Sequence, residues 1–220
     1  MSANSQVARN QSRQTFDSVY ESTNPLTTVA GQRMVEWFTG NSLNTDRWTL
    51  VNNTALPTVA MQDSVDGGLL MTNTGDGSMT FNDIKQYGRS CSCVMVIKNT
   101  TTSGQTYAGL CSTSKPDTGG GTVSTAVLEM GTGTTYMNLV VTDNGSSWDR
   151  TATSVVSANA DWHTVKIDVE STSVNITMNG VLDGTRTLSP STAMQPCIQG
   201  RHVSGANATT YLRYFEAWNN

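Results

Sequence analysis

Lysine is almost absent from this chain, with four in 220 residues. Charged residues of all kinds make up only 14%, and the formal net charge is −4. A nucleic-acid partner asks for a basic stripe, and no such stripe exists here. No run of about 18 apolar residues occurs, so no helix is expected to cross a membrane. The first thirty residues lack the apolar core of a signal peptide, so export by that route is not expected. Phosphate-cradling Gly-x-x-x-x-Gly-Lys loops and Gly-x-Ser-x-Gly elbows are missing as well. The two histidines, His163 and His202, have no evident catalytic partner, and each reads as a hydrogen-bonded structural residue.

Cysteine is scarce too: Cys91, Cys93, Cys111 and Cys197. Cys91 and Cys93 stand two apart on an expected strand, share a face and cannot easily bridge each other. No Cys-x-x-Cys or Cys/His cluster has ligand spacing. The four therefore read as small buried hydrophobes rather than a metal or disulfide site.

Thr, Ser, Gly and Asn fill the space that charge leaves. Thr favours strands, and Gly and Asn favour the turns between them. In residues 162–170, Val165, Ile167 and Val169 alternate with Lys166, Asp168 and Glu170, giving one oily face and one wet face. The alternation returns in Val174-Asn175-Ile176-Thr177-Met178. It stops at Asn179-Gly180, a pair suited to positive φ at both centres of a type I′ turn. Half-wet antiparallel strands build sandwiches, not doubly wound folds. Strands are expected near 34–39, 47–54, 68–74, 78–84, 91–99, 105–113, 122–130, 135–142, 148–154, 162–170, 172–178, 181–187 and 208–218. Turn signals such as Gly75-Asp76-Gly77, Asn144-Gly145-Ser146 and Asp183-Gly184 punctuate them. The expectation is an all-β, two-sheet antiparallel jelly-roll sandwich over residues 34–220. Its expected core is Val94, Val96, Leu128, Leu139, Val141, Val165, Ile167, Val169, Ile176 and Phe215.

Residues 1–33 differ. They carry only spaced apolar residues and cannot bury enough surface alone to offset ordering entropy. They read as a frayed tail or as an extended arm that docks on a neighbouring subunit. Phe16, Tyr20 and Leu26 are the arm's anchors, and Asp17 to Glu21 can form one helical turn on docking.

Three stretches resemble the concanavalin A-like lectin/glucanase superfamily, which includes laminin-G-like modules and laminarinases. They are residues 37–48 (an aromatic, then Gly40, Leu43 and Trp48), the hairpin 161–181, and the closing Tyr211-Leu212-Arg213-Tyr214-Phe215-Glu216-Ala217-Trp218. The glucanase branch carries Glu-x-Asp-x-x-Glu on one strand. Retaining glycosidases need two carboxyl groups about 5 Å apart. The matching stretch here offers Glu129, with Gly131 and Thr134 where further carboxylates are expected. Asp168 and Glu170 lie on a wet strand face. The chain is therefore expected to be non-catalytic, with no catalytic residue.

Sugars stack on aromatic rings, and Trp148, Tyr107 and Tyr136, with Asp149, are the candidate carbohydrate contacts. Trp37, Trp48, Trp162 and Trp218 are assigned to core or sheet packing. Asp63-Ser64-Val65-Asp66-Gly67-Gly68 and Asn73-Thr74-Gly75-Asp76-Gly77 offer oxygens to calcium, but turn chemistry accounts for both. No cofactor and no metal site is expected, calcium being the one minor candidate.

Jelly rolls of this kind recur in phage heads, tails and fibres. The resemblance and the arm together imply a structural or decoration protein of a bacteriophage particle. It would be a dimer or trimer contacting other virion subunits, assembled in the host cytoplasm, with no nucleic-acid or membrane partner. The alternatives are a lectin-like module attaching to host-surface glycans, and a glycoside hydrolase.

Overall fold

In the computed structural model, the described residues are 33–39, 42–62, 67–81, 90–100, 104–113, 123–131, 135–143, 149–156, 159–187, 190–203 and 207–220. They form fifteen strands and, among them, no helix. The strands are β1 (Arg33–Trp37), β2 (Trp48–Asn52), β3 (Thr58–Gln62), β4 (Gly68–Asn73) and β5 (Gly77–Phe81). Then follow β6 (Cys91–Asn99), β7 (Gln105–Cys111), β8 (Thr125–Gly131), β9 (Tyr136–Thr142) and β10 (Asp149–Val156). The last are β11 (Asn159–Val169), β12 (Val174–Met178), β13 (Val181–Arg186), β14 (Gln195–Arg201) and β15 (Ala208–Asn219).

Two antiparallel sheets result. One runs β13-β12-β11-β6-β15-β4-β3, with β1 also paired to β15; the other runs β10-β9-β8-β7-β14-β5-β2. The all-β sandwich expected from alternation is what the chain builds. All thirteen expected strands exist, and β3 and β14 are additional. The β14 sequence Gln195-Pro196-Cys197-Ile198-Gln199-Gly200-Arg201 contains a Pro and a Gly, both weak strand formers. It still sits between β7 and β5, because tertiary pairing overrides local preference.

The core lies between the sheets. Trp48 is buried at its centre, with ring centroids of Phe81, Phe38 and Phe215 at 5.2, 5.7 and 6.2 Å. Two polar clips cross this oily layer: Thr106 and Thr210 hydroxyls meet at 2.6 Å, and the Asn73 amide donates to Gly77 O at 2.9 Å. Eight of the ten expected core residues are fully buried in this layer. Val94 and Val96 are not; they face outward and are only half-buried. Strand β6 is apolar on both faces, so alternation alone could not choose its inner side. Cys91, Cys93, Met95 and Ile97 point inward instead. All four cysteines are buried and none is in a disulfide. Burial, with help from the Asp168 charge, pushes the Cys91 thiol up to about 12.

Asn179 and Gly180 have φ of 51° and 86°, as a type I′ turn requires. Asn179 Oδ1 accepts from Thr164 N at 3.0 Å, and its Nδ2 donates to His163 Nδ1 at 3.1 Å. Asp183-Gly184 is not a turn. It lies inside β13, where Asp183 is the extra residue of a bulge between the Ile176–Gly184 and Thr177–Leu182 pairs. The bulge aims the Asp183 carboxylate at β10, where it accepts from Ser154 N and Oγ. With the Arg186–Asp149 pair at 3.0 Å, this joins the two sheets along one edge.

Candidate functional site

The outward face of the seven-stranded sheet carries the chemistry. Register places Ser78, Gln199, Tyr107, Glu129 and Asn138 opposite one another on β5, β14, β7, β8 and β9. Four strand spacings make this polar row roughly 19 Å long. All five residues are buried. Beside it, Tyr107, Val127 and Val140 form an apolar cluster separate from the main core. On its other side lies a second, more open row. Arg201 and Gln105 are paired across β14 and β7, and Arg201 reaches Asp76 at 4.0 Å. Tyr136, two residues before Asn138 on β9, completes this row and is 44% exposed.

Glu129 is the hub. Its carboxylate accepts from Arg150 Nε at 2.9 Å and Nη2 at 3.1 Å, a bidentate fork. Tyr107 OH donates at 3.1 Å, Asn138 Nδ2 at 3.4 Å and Gln105 Nε2 at 3.4 Å. A buried carboxylate is tolerated when it is paired and hydrogen-bonded in this way. Burial works against the Arg150 charge, but the Glu129 hydrogen bonds and charge outweigh it and raise its pKa. The Arg150 side chain is 46% exposed, so the fork links the buried hub to the surface.

The positions flanking Glu129 on this face are Val127 and Gly131 on its own strand, Tyr107 on β7 and Asn138 on β9. None is a carboxylate. Position 131 cannot be one in this backbone. Its φ is +109°, and a Cβ there would lie 1.8 Å from Gly104 O. Asp76 belongs to the same face but stands three strands away, roughly 14 Å.

Of the expected carbohydrate contacts, the structure joins Tyr107 and Tyr136 on one face. Tyr107 is buried in the hub, and Tyr136 is the exposed ring. Asp149 lies on β10 but points the other way, into the Arg186 pair; alternation puts Arg150 on the site face and Asp149 behind it. Trp148, Thr134, and the arm residues Phe16, Tyr20 and Leu26 lie outside the described residues. Sequence reading missed Arg150, Gln105, Asn138, Gln199 and Ser78. Only register brings them together, and no local motif marks them.

His163 is buried on β11 and bonded to Asn179. His202 Nδ1 lies 3.2 Å from Asn207 Oδ1. Both are strand or loop residues, as read. Among the described residues no group of three His, Cys, Asp or Glu could hold a metal; Asp63 to Asp66 lie outside them. Trp48 is a core residue, but Trp37, Trp162 and Trp218 stand half-exposed or exposed on the outer face of the eight-stranded sheet.

No family model matches the chain, and no curated protein does. Solved structures do. The jelly-roll sandwich is a fold that this chain shares with glucanases and with a carbohydrate recognition domain. Bacillus licheniformis β-glucanase matches with a TM-score of 0.63 at 16% identity, over 86% of this chain and 99% of that one. A Bacteroides ovatus mixed-linkage-glucan GH16 structure with bound product matches at 0.62 and 11%, covering 83% and 98%. The Emp47p carbohydrate recognition domain matches at 0.60 and 9%, covering 88% and 96%. These likenesses show the fold. They also overturn the expectation that the chain is not an enzyme: glucanases, lichenases and a glycosidic hydrolase share its architecture, so a missing sequence pattern is no ground for excluding glycosidase activity.

Proposed function

We propose that this protein recognises a carbohydrate polymer of the β-glucan class on the outward face of its seven-stranded sheet. The observation that carries this reading is the exposed Tyr136 ring at the end of a row of polar side chains, Gln105, Arg201 and Asp76, crossing the strands. A pyranose has an apolar face and a hydroxyl rim. Tyr136 offers a flat surface for the first, and the row offers donors and acceptors for the second. The Glu129 hub holds Gln105, Tyr107 and Asn138 in place behind the row, so little ordering is left for binding to supply. Glucanases and a carbohydrate recognition domain among the fold's relatives favour this reading over a structural role in a virus particle.

A second reading, glycoside hydrolysis, is favoured by Glu129. It is a fully buried carboxylate on a central strand, and the resemblance to glucanases singles out that same strand. A retaining or inverting mechanism needs a second carboxyl group, and the described face positions beside Glu129 do not supply it.

One experiment addresses both. The chain, its Tyr136→Ala variant and its Glu129→Gln variant are incubated with mixed-linkage β-glucan. Bound protein and released reducing ends are measured. Binding that weakens about tenfold in Tyr136→Ala, the loss of one ring stack or somewhat more, supports recognition. Reducing ends released by the parent and lost in Glu129→Gln establish hydrolysis. No binding and no release, across a panel of β- and α-linked glucans, contradict both readings.

A further inference from the structure

The outer face of the eight-stranded sheet is the other unusual surface. Lys98 of β6 places Nζ 4.9 Å from the Trp162 ring and 4.6 Å from the Tyr211 ring. Arg213 of β15 lies 4.0 Å from the same Trp162 ring. The two rings meet edge-on at 6.5 Å. Trp162 is half-buried, so part of its ring stands at this surface. Further along, Trp37 is 37% exposed and packs on Tyr214 at 4.4 Å. Among the described residues no carboxylate pairs with Lys98. The surface is aromatic and locally basic on a chain whose net charge is −4.

One segment of this chain fits it. Strand β1, which follows the first 32 residues, belongs to this same sheet, with Arg33 opposite Trp218 on β15. Within those 32 residues stand the aromatic residues Phe16 and Tyr20 and the apolar Val19 and Leu26. The carboxylates Asp17 and Glu21 lie beside them in the sequence. The apolar residues suit the aromatic platform, and the two carboxylates are opposite in charge to Lys98 and Arg213.

We propose that residues 16–26 of a second copy dock on the Lys98–Trp162–Tyr211–Arg213 platform, and that the exchange is reciprocal. Two-fold exchange closes on itself and buries both arms in one dimer, which brings the contact toward the roughly 1,600 Å² of a standard interface. This surface lies on the opposite sheet from the glycan face, so it stands or falls independently of that reading.

The test is sedimentation equilibrium of the full chain against three variants. They are Phe16→Ala/Tyr20→Ala, Lys98→Glu/Arg213→Glu, and the latter combined with Asp17→Lys/Glu21→Lys. The full chain is expected to be a dimer. The aromatic and the charge-reversed variants should each dissociate at least about tenfold more readily, since close charge pairs and buried aromatics dominate such contacts. The charge-swapped combination should restore the dimer, which a merely misfolded platform could not do. A monomeric full chain, or a dimer indifferent to all three changes, overturns the proposal.

Discussion

Arg150 does two jobs at the residue scale: it neutralises Glu129 and ties the buried row to the surface. Removing it leaves a buried carboxylate with hydrogen bonds but no counter-charge. A fully buried broken pair costs about 3–5 kcal/mol. Arg150 is half in water, so Arg150→Ala should cost less, about 2–3 kcal/mol of unfolding free energy. Adding Glu129→Gln to it should return most of that loss, because the orphaned charge is gone. A double-mutant cycle by urea unfolding checks this; additive losses would mean that the pair is not coupled. None of this was legible from the chain. Position 129 was readable as a lone acid on a strand, but its partners sit on β7, β9 and β10, 9 to 24 residues away in sequence. Gly131 was readable as an absent carboxylate. The reason a side chain cannot stand there, its approach to Gly104 O, needed coordinates.

The β11–β12 hairpin shows how far the sequence carries at the element scale. Asn179-Gly180 predicted its turn, and the alternation predicted its inner face, because both signals are local. The same logic failed on β6, where both faces are apolar, and on β14, where Pro196 and Gly200 hide a central strand. The hairpin also carries a titratable group. Burial lowers the His163 pKa from its ordinary 6.5, with the Asp161 charge opposing. The unfolded chain therefore takes up the proton first as pH falls. The stability this group contributes is present above about pH 6.5 and drains as pH drops toward the folded value. The melting temperature should fall between roughly pH 7 and 5. Replacing His163 with Gln, which keeps an amide near Asn179, should flatten that part of the profile. An unchanged slope would place the titration elsewhere.

Across the whole molecule, two sheets with one shared core present two outer faces of different chemistry. The seven-stranded face is polar, with a carboxylate hub and, among the described residues, the exposed Tyr136 ring. The eight-stranded face is aromatic and cationic. Composition forecast the sandwich, since Thr, Gly and Asn at this density favour strands and turns. It could not assign the faces, because pairing of strands distant in sequence decides which residues become neighbours. Trp37, Trp162 and Trp218, read as core or sheet packing, pack on the outer side of the eight-stranded sheet against Tyr214, Tyr211 and Lys166. The most direct test of glycan recognition is a map of amide chemical shifts on adding a mixed-linkage β-glucan oligosaccharide. Shifts should cluster at Gln105, Tyr136, Asn138 and Arg201 on the seven-stranded sheet, with Lys98, Trp162 and Tyr211 unmoved. Shifts confined to the aromatic platform of the eight-stranded sheet, or none at saturating sugar, would contradict it.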